Sequence, residues 1–224
     1  MSVFCDAGRR SYSADMFKAV LWDFGGVILT SPFEAFNRYE ADHGFPPDFI
    51  RRVNATNPHT NAWARLERSD IAPAEFDGVF AAESQMLGHE ISGADVLALL
   101  AGDVRPEMVT ALDAVRAAGY KTACLTNNVT GKHASSERSD SISAIMDRFD
   151  AVVESSKVGV RKPEPRFYES ACQMLQVEPT SCVFLDDLGI NLKPAAAMGM
   201  HTIKVLTAEQ AIADLEQALG ITLR

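Results

Sequence analysis

Continuous apolar runs and helical patterns alternate along most of the chain. The apolar runs predict buried strands, because parallel strands covered on both faces show continuous apolar sequence rather than alternation. Between and after them, apolar side chains recur at spacings of three and four residues, which is the pattern of amphipathic helices. Strand and helix in regular order predict an α/β fold, a parallel sheet with right-handed crossovers. The predicted strands are residues 18–22, 120–125, 151–153, 182–185 and 202–205.

The stretch between the first two predicted strands is far longer than the crossover of about a dozen residues that a parallel pair needs. From Phe33 to about Ala101 the apolar spacing is helical, and no strand-like run interrupts it. We therefore predict an inserted all-helical domain over residues 32–102, and a core domain made of residues 16–31 and 103–224. The aromatic side chains of the insertion either line an apolar entrance or fill its own core. They include Phe33, Phe36, Trp63 and Phe76.

Local signals predict where two of the helices begin. Ser31 is expected to cap a helix that has Pro32 at its first position, with Glu34 closing a capping box. Asn191 is expected to cap a second helix, which runs to Met198. Both caps use the preference of short polar side chains for the exposed amides at a helix start.

Two polar segments carry no sheet or helix pattern. Residues 1–15 lack the apolar core of a signal peptide, so we expect a disordered leader. Residues 130–140 form a Ser-rich, charged loop before a short helix at residues 142–146, and this loop is either a mobile lid or disordered. No apolar stretch approaches the roughly 20 residues that span a bilayer. We therefore expect a cytoplasmic protein that is not bound to a membrane.

The composition is that of an ordinary globular protein, 47% hydrophobic and 23% charged. The formal net charge of −9 argues against a nucleic acid or an anionic membrane as the main partner, but it allows a local basic pocket. The four cysteines form no CxxC pair, and the five histidines show no metal-ligand spacing. We expect a small-molecule partner, with the protein a monomer or a homodimer.

Polar residues follow the predicted strands at the point where each strand ends. Asp23, Thr126 and the Asp186-Asp187 pair each come directly after an apolar run, and Lys162 precedes a predicted helix on the same side. Because the carboxyl ends of parallel strands meet at one edge of a sheet, these side chains are expected to converge there. Each has an ordinary explanation as a turn, cap or loop residue, but turn chemistry does not explain all of them together.

Such a set of residues suits a specific chemistry. Three carboxylates at one edge repel each other and need a cation, and their hard oxygen atoms suit Mg²⁺. A hydroxyl and a lysine facing that cation would bind an anion with several oxygens, such as a phosphoryl group. Asp23, at the tightest turn, is placed to attack phosphorus in line. The sequence therefore predicts hydrolysis of a phosphorylated small molecule through an aspartyl-phosphate.

Four motifs resemble those of the haloacid dehalogenase-like (HAD) superfamily over residues 17–206. WDFGGV resembles its first motif, LTNN its second, the lysine of RKPEP its third and FLDDLGINLKPA its fourth. Among subfamilies, the last of these regions is similar to the N-terminal phosphatase domain of soluble epoxide hydrolases. It is also similar to the HAD-like domain of acyl-CoA dehydrogenase fusion proteins. The resemblance implies a Rossmann-like core, with helices on both faces of the sheet, and a helical cap that closes over the site.

The resemblance also implies a Mg²⁺ site and a nucleophile. Carried over by position, the nucleophile is Asp23. The magnesium ligands are Asp23, the Gly25 carbonyl and Asp187, supported by Asp186 and Asn191.

The same comparison implies how the phosphoryl group is bound. Thr126 and Lys162 are its catalytic partners beside the nucleophile. The implied substrate-binding residues are Gly25, Gly26, Thr126, Asn127 and Lys162.

The chain departs from the family pattern at Gly25. Phosphatases of the family usually have an Asp there, which protonates the leaving group and then activates water. General acid–base help is typically worth about 10²–10⁴-fold, so its absence should slow turnover, most of all with poor leaving groups. A water molecule or a residue of the cap could replace it.

Three functions remain compatible with these residues. The first is a magnesium-dependent phosphatase that acts on a small phosphomonoester. The second is a 2-haloacid dehalogenase, whose members also lack the second Asp and use no metal, although the acidic pair is intact here. The third is a non-catalytic module that binds phosphoryl groups, which the retained nucleophile argues against. The phosphatase is the function that we expect.

Overall fold

A computed structural model of the chain describes residues 16–128 and 136–223. The predicted leader over residues 1–15 lies outside the described residues. So do residues 130–135 of the predicted Ser-rich loop.

Five parallel strands form one sheet, in the order β3-β2-β1-β4-β5. The predicted parallel sheet is therefore confirmed, with strand ends that differ from the predicted ones by at most one residue. The strand β1 lies in the middle of the sheet, between β2 and β4. The outer strands are β3, next to β2, and β5, next to β4. The strands are β1 (Ala19–Trp22), β2 (Lys121–Thr126), β3 (Ala151–Glu154), β4 (Cys182–Asp186) and β5 (His201–Lys204).

Five helices follow β1 and build a hydrophobic cluster of their own. Its fully buried members all fall between Phe36 and Leu97. We refer to residues 33–98 as the helical segment. The domain boundaries at residues 32 and 102 stay a prediction. The helices are α1 (Phe33–His43), α2 (Phe49–Ala55), α3 (Ala62–Glu67), α4 (Pro73–Met86) and α5 (Gly93–Ala98).

Six further helices alternate with the remaining strands. They are α6 (Pro106–Ala117), α7 (Ser136–Met146), α8 (Ser155–Val158), α9 (Pro165–Leu175), α10 (Gly189–Ala197) and α11 (Ala208–Leu219). The helices α6 and α11 pack on the face that contains Val20 and Trp22. The helices α9 and α10 pack on the opposite face, with Ala19 and Leu21. Successive side chains of a strand point to opposite faces, so β1 must be apolar at every position, as it is.

Three local predictions were wrong. The helix α1 begins after Pro32, and the Ser31 hydroxyl donates instead to Oδ2 of Asp187 at 3.2 Å. Asn191 lies inside α10, which begins after Leu188, and its amide donates to Asp186. In both cases the side chain donates to a carboxylate, which is a strong acceptor, instead of accepting from the amides at a helix start. The third error concerns residues 136–140, which are the first turns of α7 rather than loop.

The described cysteines are all buried in the sheet or in α9. Cys124 and Cys182 lie in strands, as predicted, and they and Cys172 are free thiols. Among the described residues, no helix is both long enough and apolar enough to cross a membrane.

Candidate active site

Asp23 leaves β1 directly into a tight turn over Phe24–Ile28. Oδ1 of Asp23 accepts a hydrogen bond from the backbone N–H of Phe24 at 2.6 Å, which orients the carboxylate. Gly26 then adopts φ 78°, where a side chain is strained, and a Cβ atom there would lie 2.3 Å from Cγ of Asp187. Gly26 therefore lets the turn after β1 pass directly beside the carboxylate of Asp187, which follows β4.

Lys162 joins two of the strand ends. Its Nζ lies 2.7 Å from Oδ1 of Asp23 and 2.7 Å from Oδ2 of Asp186, and the side chain is 1% exposed. Burial alone would lower the pKa of Lys162, but the carboxylates of Asp186 and Asp23 outweigh that effect and raise it. The lysine is therefore held as a cation at the edge of the sheet, where a buried charge is tolerated because it is paired.

Asp186 is held from several sides. Its Oδ1 accepts from the backbone N–H of Leu188 at 2.8 Å, and the Asn191 amide lies 3.1 Å from both of its oxygens. The backbone carbonyl of Asn191 accepts a hydrogen bond from the Tyr168 hydroxyl at 2.7 Å. Because these contacts and Lys162 occupy both oxygens, Asp186 is placed to orient its neighbours rather than to bind a ligand directly.

Asp187 completes a group of three carboxylates that could hold a metal ion. One oxygen from each of Asp23, Asp186 and Asp187 lies within 4.8 Å of the others. Burial raises the pKa of Asp187 to about 6, and the Asp186 charge adds to the shift. Burial likewise raises the pKa of Asp23 well above its ordinary value, although Lys162 opposes this.

The donor chemistry of this group fits a hard divalent cation. Among the described residues, Lys162 is the lysine that pairs with these carboxylates; it balances one of the three, and a divalent cation would balance the other two. The contacts that Asp23 makes to the protein use Oδ1, and Asp187 is held by one hydroxyl, so both retain oxygen atoms for a ligand. Gly25 lies on the wall of the same cavity, as a backbone ligand would require.

The second strand end contributes Thr126 and Asn127. Thr126 is the last residue of β2, is 7% exposed and faces the same cavity as Asp23. The Asn127 side chain bonds to Lys162 twice: Oδ1 accepts from its backbone N–H at 2.8 Å, and Nδ2 donates to its carbonyl at 3.0 Å. This amide therefore holds the lysine in place, and the predicted contact of Asn127 with substrate stays a prediction.

A cavity of about 780 Å³ lies between the sheet edge and the helical segment. Seven of the predicted site residues line it, and Gly26 and Asp186 lie behind its wall. The opposite wall is largely apolar and contains Phe33, Phe36 and Trp63. Phe76 is not on this wall, because its ring packs in the core of the helical segment. The seven lining residues are Asp23, Gly25, Thr126, Asn127, Lys162, Asp187 and Asn191.

Sequence reasoning missed a buried acid on the helical side of the cavity. Glu67, the last residue of α3, is 5% exposed and accepts from Nε1 of Trp63 at 3.0 Å and from Nδ2 of Asn127 at 3.3 Å. It also forms an ion pair with Nε of Arg161. Burial raises its pKa, and Arg161 opposes the shift. A single glutamate in an amphipathic helix is usually solvated, and only the position of Arg161 beside Lys162 hints at this contact.

Ser31 is a residue of this site that sequence reasoning assigned to a helix start. Its hydroxyl bonds to Asp187, a residue 156 positions away in the chain. A Ser before a Pro is a common helix start, so no local signal distinguishes it.

Comparison with known proteins places this site in a family. The sequence model of haloacid dehalogenase-like hydrolases matches residues 17–199. The chain is 35% identical over 222 residues to acyl-CoA dehydrogenase family member 10 of Mus musculus, covering 97% of this chain and 20% of the relative. It is 31% identical over 218 residues to bifunctional epoxide hydrolase 2 of Mus musculus, covering 91% of this chain and 39% of the relative. The chain thus spans well under half the length of these relatives.

Solved structures share the fold. A HAD family enzyme from Bacteroides thetaiotaomicron, in complex with magnesium and inorganic phosphate, superposes with a TM-score of 0.58 at 20% identity, covering 89% of this chain and 98% of that one. An L-2-haloacid dehalogenase from Xanthobacter autotrophicus, with chloropropionic acid covalently bound, gives 0.58 at 22% identity, covering 90% and 82%. Together with the family match, these confirm the predicted resemblance. The chain belongs to the haloacid dehalogenase-like hydrolases.

Proposed function

We propose that the chain is a magnesium-dependent phosphatase that cleaves a small phosphomonoester through an aspartyl-phosphate at Asp23. The observation that carries the proposal is the arrangement of Lys162, 2.7 Å from both Asp23 and Asp186, beside the carboxylate of Asp187. A nucleophilic carboxylate, a fixed cation and a further acidic group at one sheet edge suit attack on an anion whose charge must be neutralised.

The chemistry divides into two displacements. Asp23 attacks phosphorus in line, a bond forms between its carboxylate oxygen and phosphorus, and the bond from phosphorus to the leaving oxygen breaks; because Gly25 offers no acid, water protonates the departing alkoxide. A second water then attacks phosphorus, loses a proton to solvent and displaces the Asp23 carboxylate, so that inorganic phosphate is released. Lys162 neutralises the phosphoryl oxygens, and Thr126 donates its hydroxyl to them. Asp23, the Gly25 carbonyl and Asp187 would hold Mg²⁺, which would supply the remaining positive charge.

The magnesium part of the proposal has two supports. The three carboxylates exceed the charge of the one lysine beside them, as described above. In addition, the fold neighbour from Bacteroides thetaiotaomicron was crystallised with magnesium and inorganic phosphate. Because that neighbour shares the fold, the same ligands are the first to test here.

Because Gly25 has no side chain, a second function is compatible with the site, that of a 2-haloacid dehalogenase. With no side chain at this position, the usual acid is missing, and the fold is shared with a dehalogenase that carries covalently bound chloropropionic acid. In that reaction Asp23 would attack carbon and displace halide, with no need for a metal. The adjacent Asp186 and Asp187 favour the phosphatase, since a reaction without a metal has no need of a carboxylate group that could hold a cation.

Hydrolysis of p-nitrophenyl phosphate tests the proposal. Wild type and the Asp23→Asn variant are each assayed with magnesium and with EDTA; this substrate has a good leaving group and needs little acid catalysis. We expect magnesium-dependent turnover in wild type and none in the variant. If wild type shows no turnover but releases halide from 2-haloacids without metal, the dehalogenase replaces the phosphatase. Inactivity in both assays, with phosphate still bound, would point to the binding module.

A further inference from the structure

The loop that carries Lys162 is joined to the helical segment by one buried ion pair. Glu67 and Arg161 have side chains that are 7% and 13% exposed. Arg161 reaches the helical segment a second time, where Nη1 donates to the carbonyl of Pro58 at 2.9 Å. The loop between α8 and α9 is thus anchored to two separate points of the helical segment.

Burial makes this pair different from the other polar contacts nearby. Ser69 bonds to the carbonyl of Ser156 at an exposed position, and Arg68 lies 3.9 Å from a half-exposed Glu164. Exposed contacts of that kind contribute little. A buried pair must instead recover the cost of removing two charges from water, and it does so only where further hydrogen bonds satisfy the charged groups.

The further bonds of Glu67 lead in two directions. Through Asn127 the carboxylate reaches the backbone of Lys162, since the Asn127 amide bonds to both the N–H and the carbonyl of that residue. Through Trp63 it reaches the apolar wall of the cavity. The indole is held by its bond to Glu67 and by an edge contact with the Phe76 ring, whose centroid is 5.7 Å away.

We propose that Glu67 is a positioning residue, which connects the wall that receives the organic part of the substrate to the lysine that binds the phosphoryl group. The inference rests on the proposed function for the reaction that it serves. Glu67 lines the cavity, and its hydrogen bonds and ion pair go to Trp63, Asn127 and Arg161. It acts through Trp63 on one side and through Arg161 and Asn127 on the other. Loss of its carboxylate should therefore affect both the recognition of the organic group and the rate of phosphoryl transfer.

The first variant is Glu67→Met, with Glu83→Met as its matched control. Glu83 is a half-buried carboxylate of the same helical segment that accepts from the backbone N–H of Ala62 at 2.8 Å, at the start of α3. Both variants replace a glutamate whose carboxylate accepts a hydrogen bond from a residue of α3. Of the two, Glu67 also contacts the loop that carries Lys162. Steady-state kinetics are measured with 1-naphthyl phosphate, whose ring reaches the wall, and with acetyl phosphate, which is too small to do so.

A displacement of about an ångström at a catalytic group can cost up to about 10²-fold, so we expect kcat to fall about tenfold with both substrates in Glu67→Met. KM should rise for 1-naphthyl phosphate and stay unchanged for acetyl phosphate. A loss of folded protein would lower kcat without changing the ratio of the two KM values. The control should keep wild-type kinetics. An unchanged KM ratio in Glu67→Met would overturn the proposal.

The double variant Glu67→Met/Arg161→Met separates positioning from stability. Replacing both partners leaves no unpaired buried charge, so its Tm should exceed that of Glu67→Met alone. If Glu67 positions Trp63 and Lys162, the kinetic defects persist in the double variant despite the higher Tm. Recovery of wild-type kinetics together with stability would show a structural role only.

Acrylamide quenching tests the wall without catalysis. The chain has two tryptophans, and Trp22 is fully buried, so quenching reports Trp63. Faster quenching in Glu67→Met than in Glu83→Met is the expected result, and equal quenching would overturn the proposal. If wild type hydrolyses neither substrate, the proposed function fails, but this comparison still decides whether Glu67 positions Trp63.

Discussion

The sheet edge and the helical segment line the same cavity, yet they contribute different kinds of groups. The edge supplies buried charges that depend on one another. Lys162 forms ion pairs with Asp23 and Asp186, and Asp186 also accepts a hydrogen bond from the Asn191 amide. The helical segment supplies a largely apolar wall that includes Phe33 and Trp63, together with Glu67, a buried acid that also lines the cavity. A change at the edge leaves a charge unpaired, whereas a change in the wall alters shape and contact area.

This difference predicts which substitutions the protein should tolerate. Leaving a buried charge without its partner is among the most costly single changes in a protein. Replacing one apolar ring in a cavity wall removes contact with a ligand but leaves no charge uncompensated. We therefore expect the edge to control whether the reaction occurs, and the wall to control which organic group is accepted. Three substitutions test this division, from the largest expected effect to the smallest.

The strongest test is Lys162→Met, which removes the cation between Asp23 and Asp186. We expect kcat with p-nitrophenyl phosphate to fall about 10³-fold, because a preorganised charge at the phosphoryl group is lost. Steady-state kinetics at saturating magnesium measure the effect. Lys193→Met, which changes an exposed lysine of α10, is the control and should keep full activity. Activity within tenfold of wild type in Lys162→Met would break the distinction between edge and wall.

An intermediate effect is expected from Gly26→Ala. The new Cβ would lie 2.3 Å from Cγ of Asp187, at φ 78°, so the carboxylate must move. A misplaced group at an active site can cost about 10²-fold, and we expect a loss of that size together with a higher magnesium requirement.

Gly25→Ala is the matched control for that substitution. A Cβ atom there meets no atom within 4 Å, and φ is −71°, which any residue adopts. Magnesium titrations of activity for the two variants provide the comparison. Equal magnesium requirements would contradict the close approach of the turn to Asp187.

The smallest effect is expected in the wall, from Phe33→Ala. Its ring lies on the cavity and carries the Arg51 guanidinium 3.8 Å above its centroid, so its loss removes one aromatic contact surface. Aromatic contacts are worth about 0.5–1.5 kcal/mol, which predicts a rise in KM for 1-naphthyl phosphate of about two- to twelvefold. The kcat for acetyl phosphate should not change. A large fall in that kcat would mean that the wall also supports the chemistry.

Much of the edge was predictable because its signals are local. Asp23, Thr126 and Asp186 each follow an apolar run directly, and parallel strands bring their carboxyl ends to one edge whatever the loops between them do. The glycine pair after Asp23 also indicated a close backbone approach, and the structure identifies Asp187 as the group approached. The alternation of strand and helix was sufficient to predict the sheet for the same reason.

The errors and omissions share a different cause. Ser31 and Asn191 were expected to cap the nearest helix, but each bonds to a carboxylate that the fold brings close, Asp187 or Asp186. The contact of Asn127 with substrate stays a prediction, but its hydrogen bonds to the backbone of Lys162 were not foreseen. Sequence spacing predicts which residues are available at a strand end, but it does not tell which partner a short polar side chain will choose.

By itself, the sequence determined the parallel sheet, the helical insertion and the set of charged residues at one edge of the sheet. These follow from hydrophobic periodicity and strand ends, which act over a few residues. Only the tertiary structure decided which charges are paired, that Phe33 and Trp63 face the cavity while Phe76 does not, and that Glu67 lies buried against the Lys162 loop. The physical reason is that the energy of a buried polar group depends on partners far away in the chain, and those partners are set by packing.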